Sequence, residues 1–444
     1  MLDTLNQTKA FPTFLYFGAG IFKKTISNLL NCETLIWTQN LEGLKSRYEI
    51  DITENPKRFA YIIDDDNVIL STKILENRSI VAIVPIVLIG AKVGKTNSKI
   101  LNEIASTISH VFSDSYESSH KKCQILFGDH MIKMIIANCF SKPGFNTNNI
   151  YYLIAYLQKL SSTTLENRNF KTGFIITRSL YAYAGKNGND RQGEILPLNQ
   201  FYDFLQEPKP DKRFWYLVDG NKSFYICDHK LSIRNIFIRN NKQNSIDTFI
   251  DSYALSQTLL GKDVAFRIIN NNQFSVICAE GIEFIYIENT WKLRDYNVII
   301  NFLNDRTQMD KKTVSYLLFY IFFCSHNNIS SIMWIPNNIN DELLSKLLLS
   351  YNSCLKKPLS IVNEDHQSLL KRIFSCDGVS IIDKNGTVSA FGCIVNLSEV
   401  EINKLIGTGE SAAKLLAKEG IAIKISQDGG VKIYHEIDQS PLIF

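Results

Sequence analysis

The stretch from Val379 to Phe391 leaves the chain little freedom of fold. Two β-patterned runs, Val379-Ser380-Ile381-Ile382 and Thr387-Val388-Ser389-Ala390-Phe391, flank Asp383-Lys384-Asn385-Gly386, whose Asn-Gly pair predicts the positive-φ turn of a hairpin. Just upstream stands Cys376-Asp377-Gly378. Downstream, Gly407-Thr408-Gly409-Glu410-Ser411-Ala412-Ala413 leaves the sheet through a glycine-flanked loop and enters a helix predicted over Ser411 to Lys418, stopped by Gly420. An acid at a strand edge suits a metal, and a glycine loop at a helix N-terminus suits a phosphate.

A chain of 444 residues is too long for one ordinary core, so two or three domains are expected. A hydrophobic share of 45% is enough to pack them well. The formal net charge of +4 is spread along the chain, with no basic tail, and gives no strong signal for nucleic acid. Met1 to Ala10 is polar and lacks the charged leader and apolar core of a signal peptide. The longest apolar run, Ile80 to Ala91, is interrupted by Pro85 and is too short to span a bilayer. A cytoplasmic protein with no membrane partner is therefore expected. The nine cysteines include no Cys-x-x-Cys pair and fall mostly in apolar segments, as buried thiols in a reducing compartment would. The seven histidines are dispersed, so no structural metal is assigned.

Two other glycine segments invite a nucleotide reading and fail on spacing. Gly18-Ala19-Gly20 lacks the third glycine of a dinucleotide fingerprint, since Lys23 stands at its place. Gly90-Ala91-Lys92-Val93-Gly94-Lys95-Thr96 follows an apolar strand and precedes a helical pattern, Ser98 to Phe112. A phosphate-binding P-loop, however, needs four residues between its glycines, and here there are three. The acidic triplet Asp64-Asp65-Asp66 between two strand patterns is read as a hairpin turn with solvated aspartates, the rarer alternative being a cation site. Asp114 to Cys123 and the loop Ala184 to Arg191 are polar connections.

Elsewhere helical and strand patterns alternate. Helices are predicted over Ile150–Leu160, Ile246–Leu260, Lys312–Cys324 and Asp341–Ser350. Strands are predicted over Thr172–Thr177, Phe214–Val218, Ser223–Cys227, Ala265–Ile269, Phe274–Cys278, Phe284–Glu288 and Ser331–Ile335, with Trp291 packed against its sheet. The expected fold class is α/β: a layered C-terminal domain with a mixed sheet over residues 251–444, preceded by an α/β region over residues 1–250. Asp219-Gly220 and Asp377-Gly378 each follow a helix and a strand at similar distances. The first region is thus either two subdomains or a degenerate repeat of the second half.

From about Tyr316 to Tyr434 the chain resembles the diadenylate cyclase domain at the N-terminus of the DNA-integrity scanning protein DisA. That family carries Asp-Gly-Ala, a Gly-x-Ile-x-Pro-Leu-Ser segment, Gly-Thr-Arg-His-Arg-Ala-Ala, and a Ser-Glu-Glu turn. Here the order is Asp377-Gly378-Val379, Gly392-Cys393-Ile394-Val395-Asn396-Leu397-Ser398, Gly407-Thr408-Gly409-Glu410-Ser411-Ala412-Ala413 and Ser426-Gln427-Asp428. The resemblance implies condensation of two ATP into cyclic di-AMP with Mg²⁺ or Mn²⁺, across a face-to-face pair of domains. Asp377 would be the metal ligand and, if the domain is active, the catalytic residue, and Gly378, Val379, Gly407, Thr408, Gly409, Glu410, Ser411 and Ser426 the nucleotide-binding positions. Two departures stand out. Val379 adds bulk where the family has alanine, and Gly409-Glu410-Ser411 replaces Arg-His-Arg. Losing two charged contacts removes about 3–6 kcal/mol of triphosphate binding, on the order of a hundred- to ten-thousand-fold. Lys414 and Lys418, further into the helix, are expected to be solvated.

Those departures favour a sensor or regulatory module that binds a nucleotide or cyclic dinucleotide, working as a homo-oligomer or with a partner protein. The alternative is an active diadenylate or related dinucleotide cyclase.

Overall fold

The computed structural model describes residues 13–55, 57–64, 66–91, 98–117, 127–141, 145–165, 168–169, 171–179, 183, 193–204, 212–239, 252–279, 281–287, 289–352, 356–398, 407–435 and 441–443. The fold is α/β with mixed parallel and antiparallel sheets. The chain divides into two compact units, Met1–Asn240 with Leu255–Asp295, and Asn241–Ala254 with Tyr296–Phe444. Among the described residues no helix is long and apolar enough to cross a membrane.

The first unit begins with a small antiparallel sheet in the order Glu33–Ile36, Ser79–Ile89, Asn67–Glu76, Ala60–Ile62. Gly18 and Gly20 lie within the helix Thr13–Leu30 and not in a loop. A Cβ on Gly18 would stand 2.2 Å from the Phe127 ring, so this glycine serves close packing. Asp64 closes its turn by accepting from the Asp66 amide at 2.8 Å and from the Asn67 side chain. Residues 92–97, most of the supposed P-loop, and residues 184–191 lie outside the described residues.

The unit's larger sheet contains β1 (Thr172–Ile176), β2 (Gly193–Asp203), β3 (Ser223–Cys227), β4 (Ser232–Arg239), β5 (Val264–Asn270), β6 (Gln273–Cys278), β7 (Ile282–Ile287) and β8 (Thr290–Asp295), in the order β2-β4-β3-β1-β5-β6-β7-β8. Strands β5 to β8, placed in the C-terminal domain by the sequence reading, belong to this unit because β5 hydrogen-bonds along β1. Trp291 lies on β8, buried as expected, and its indole N–H donates to Asp129 at 2.8 Å.

The second unit is built on a helix, Lys311–His326, buried almost all round. Its N-cap Asp310 accepts from the Thr313 amide and hydroxyl, both at 2.9 Å. Its sheet contains β9 (Ser331–Pro336), β10 (Leu348–Asn352), β11 (Leu359–Ser360), β12 (Val379–Ile382), β13 (Thr387–Val395), β14 (Gly420–Ile425), β15 (Val431–His435) and β16 (Leu442–Ile443). Their order is β10-β13-β12-β9-β14-β15-β16, with β11 also on β13. Alternation sorts the two faces. Met333, Ile335, Ile421, Ile423 and Ile425 join the core of Lys311–His326 and of the helices Tyr296–Thr307 and Gln367–Phe374. Ile332, Trp334, Val379, Ile381, Ala422 and Tyr434 face the other way, with Ala412, Ala413 and Leu416 of the helix Thr408–Leu416.

The hairpin forms as read, with Gly386 at φ +78° and Asp383 accepting from the amides of Asn385 and Thr387. The predicted helix Asp341–Ser350 instead ends at Leu347 and becomes β10, which pairs with β13. Only Ser252–Thr258 of the predicted helix Ile246–Leu260 lies among the described residues in helical form. The helices Tyr296–Thr307 and Gln367–Phe374 were not foreseen.

The two larger sheets share one pairing scheme. In each, a central strand runs parallel to one neighbour (β1 with β3, β9 with β12) and antiparallel to the other (β5, β14), and every remaining pair is antiparallel. The register aligns Ile226, Ile175, Ala265 and Ile277 with Ile381, Trp334, Ala422 and Tyr434. The Asp-Gly pairs that suggested an echo do not align. Gly220 packs on Thr172 of the central strand, and Gly378 packs on Gly392 and Cys393 of β13.

Candidate functional site

The register of the second sheet brings the two motif segments together from strands whose contribution the motif does not show. Val379 on β12, Ile332 on β9, Lys424 on β14 and Lys432 on β15 form one cross-strand row. Directly opposed residues point to the same face, here the face that carries the helix Thr408–Leu416. Two lysines from neighbouring strands therefore lie beside the start of that helix. A lysine in the otherwise apolar run Gly420-Ile421-Ala422-Ile423-Lys424-Ile425 was the sequence signal that could have found the first. The turn centred on Asp428 would then have paired it with the second.

Glu410 sits among these cations. Its carboxylate accepts from Lys432 at 3.1 Å and is 3.4 Å from Lys414. Partial burial disfavours its charge. The hydrogen bond from Lys432, the adjacent Tyr434 hydroxyl and the charges of both lysines outweigh that and hold its pKa below the usual carboxylate range. Lys414 is solvent-exposed, as expected, and also pairs with Glu410 one turn earlier. Tyr434 is 5% exposed, its hydroxyl lies against the Glu410 carboxylate, and burial followed by that carboxylate pushes its pKa upward.

Lys424 is half-buried and donates to Ser330 Oγ and to the Ile425 carbonyl, each at 2.7 Å. Burial lowers its pKa, while Asp428, Asp377 and Glu410 act in the opposite direction, so all three acids share its electrostatic surroundings. Gly409 makes this placement possible, because a Cβ there would stand 2.9 Å from Lys424 Cε.

The remaining expected residues divide clearly. Asp377 is exposed, and its carboxylate accepts only from the adjacent Gly378 amide, at 2.9 Å, among the hydrogen bonds of the described residues. Gly378 has φ +95°, and a Cβ on it would meet the Cys393 carbonyl oxygen at 2.8 Å, so the position needs glycine. Val379 is 1% exposed and packs in the core, so its bulk does not project into open space. Ser411 is also buried, and its hydroxyl donates to the Gly407 carbonyl at 3.4 Å. Gly407 is the N-cap and brings no side-chain acceptor; Thr408 beside it is exposed. The amides that begin this helix are therefore not capped by a side chain. Ser426 closes the β14–β15 turn, its amide donating to the Gly430 carbonyl at 2.9 Å.

Among the described residues no group of three His, Cys, Asp or Glu side chains could hold a metal. Asp377 offers one carboxylate, which fits a Mg²⁺ or Mn²⁺ whose other ligands come from phosphate and water. The corresponding place in the first unit is filled by its own side chains. Arg267 aligns with Lys424 and Phe224 with Val379. Arg267 is 2% exposed and 3.8 Å from the buried Glu283, and Phe224 packs with Tyr183 and Phe237.

No protein-family model matches the chain, and no curated protein matches it. Among solved structures, the chain is similar to a hypothetical membrane spanning protein from Bacillus cereus. The two are 18% identical over 33% of this chain and 76% of that one, with a TM-score of 0.22. At that level the likeness carries no argument about fold or function.

Proposed function

We propose that the second unit is a diadenylate-cyclase-like domain that binds a nucleotide or cyclic dinucleotide and does not join two ATP efficiently, acting as a cytoplasmic sensor or regulatory module. The observation that carries this reading is the Glu410–Lys432–Lys414 cluster at the start of a helix with no side-chain cap. An anion-binding end is present. Its fixed cations, however, are engaged by an internal carboxylate, where a cyclase would direct arginines at a triphosphate. Ligand-dependent pairing with a second copy or a partner protein would transmit the signal.

The alternative, an active cyclase using Mg²⁺ or Mn²⁺, draws its support from Asp377, whose exposed carboxylate is available to a metal. Calorimetric titration of the full chain with ATP, GTP and cyclic di-AMP tests the binding claim. One ligand per chain is expected, because the corresponding place in the first unit is closed by Arg267, Glu283 and Phe224. Two equivalent sites, or no binding at millimolar ligand, would count against it.

A further inference from the structure

We propose that Glu410 is a resident anion that a single ligand phosphate replaces, so that the site selects a phosphodiester, as in a cyclic dinucleotide, over a nucleoside triphosphate. This rests on the nucleotide reading above and names the ligand class of the same site.

Three features of the second unit lead there. First, two of the three cations, Lys424 and Lys432, come from the sheet. Lys424 is fixed by Ser330 and the Ile425 carbonyl, and Lys432 stands directly opposite it in register. A carboxylate bridging Lys432 and Lys414 occupies the position, beside the start of Thr408–Leu416, that a phosphate oxygen would take.

Second, buried donors line this face. The Tyr434 hydroxyl, on a side chain 5% exposed, lies against the Glu410 carboxylate. The indole N–H of Trp334, on a side chain 0% exposed, has no partner among the described residues. Trp334 and Tyr434 both stand opposite Ala422 in one cross-strand row. A buried donor without an acceptor costs stability, so a ligand oxygen that displaces Glu410 must also take over the Tyr434 hydroxyl.

Third, the local charge balances. Lys414, Lys424 and Lys432 stand against Asp377, Glu410 and Asp428. One phosphodiester that displaces the Glu410 carboxylate from Lys432 and Lys414 puts a single negative charge between the same cations. A triphosphate adds several more charges beside Asp377 and Asp428, and Gly409 and Ser411 supply no cation to meet them.

Titrations of the full-length protein, its E410Q variant and its K432M variant with cyclic di-AMP, ATP and pyrophosphate test this. Glutamine keeps the side chain's shape and removes its competing charge. E410Q is expected to bind cyclic di-AMP about tenfold more tightly, and K432M at least tenfold more weakly. ATP should bind the unaltered protein more weakly than cyclic di-AMP. Equal cyclic di-AMP affinity in the unaltered protein and E410Q would overturn the exchange while leaving the nucleotide reading standing. Tighter pyrophosphate binding by E410Q, with no nucleotide bound by any form, would uphold the exchange and reject the nucleotide reading. ATP bound as tightly as cyclic di-AMP would overturn the phosphodiester preference. No binding of any probe to E410Q would overturn both.

Discussion

Replacing Glu283 with glutamine is expected to destabilise the first unit by about 3–5 kcal/mol, read as a shifted urea midpoint at unchanged slope. Glu283 is 0% exposed and lies 3.8 Å from Arg267 and 3.6 Å from Arg294, each 2% exposed. Two guanidinium groups share this carboxylate in a medium too poor in water to solvate them. The register explains the assembly: Glu283 on β7 stands opposite Arg294 on β8 and, on its other side, opposite Ile277 on β6, next to the column that holds Arg267. The triad itself is not a large net source of stability. Replacing all three residues with well-packed apolar ones should be neutral or favourable, because the desolvation cost disappears with the charges. A loss below about 1 kcal/mol for the single glutamine variant would show that water reaches the triad.

Gly378→Ala should cost the second unit more than about 2 kcal/mol and abolish ligand binding as well. The backbone at φ +95° disfavours any side chain, and the added Cβ would stand 2.8 Å from the Cys393 carbonyl oxygen and 2.9 Å from the Gly392 carbonyl carbon. Relief requires β12 and β13 to separate, which displaces Asp377, two residues before the start of β12. Gly407→Ala is the matched control. Its Cβ would meet nothing within 4 Å and its φ is −64°, so the change should be much smaller, limited to the N-cap preference for glycine over alanine. Thermal melts of both variants, with and without cyclic di-AMP, make the comparison. Equal losses would remove the steric account of Gly378.

The parts of this architecture governed by local chemistry were legible in the sequence. Asn385-Gly386 gave the hairpin, Gly420 the end of the helix region, and β patterns several strands of both sheets. The predicted strand Phe214–Val218, however, begins in the short helix Lys212–Trp215, and the strands Gly193–Asp203 and Ser232–Arg239 were not foreseen. Pairing across the chain was less accessible. Residues 264–295 looked like the opening of a new domain because strand patterns alone do not say which neighbour they join. Only the ladder of β5 on β1 assigns them. The helix Tyr296–Thr307 was overlooked because it follows β8 directly, with no cap or turn signal between the two. The candidate site shows the same division. Asp377, Gly378, Gly407 and Glu410 stand in recognisable segments, yet Lys424 and Lys432, which give Glu410 its setting, come from register that no linear motif contains. Val379 and Ser411 stand at nucleotide positions of the motif; the side chain of Val379 is buried in its strand and that of Ser411 in its helix.

The site proposed in the second unit holds ligand and does not turn it over. Incubating the purified full-length protein with ATP and Mn²⁺ and measuring cyclic di-AMP by mass spectrometry, beside a parallel binding titration, tests it most directly. The expected result is saturable binding of one cyclic dinucleotide per chain with no product formed from ATP. Accumulation of cyclic di-AMP that is abolished by Asp377→Ala would contradict the account and establish the chain as a cyclase.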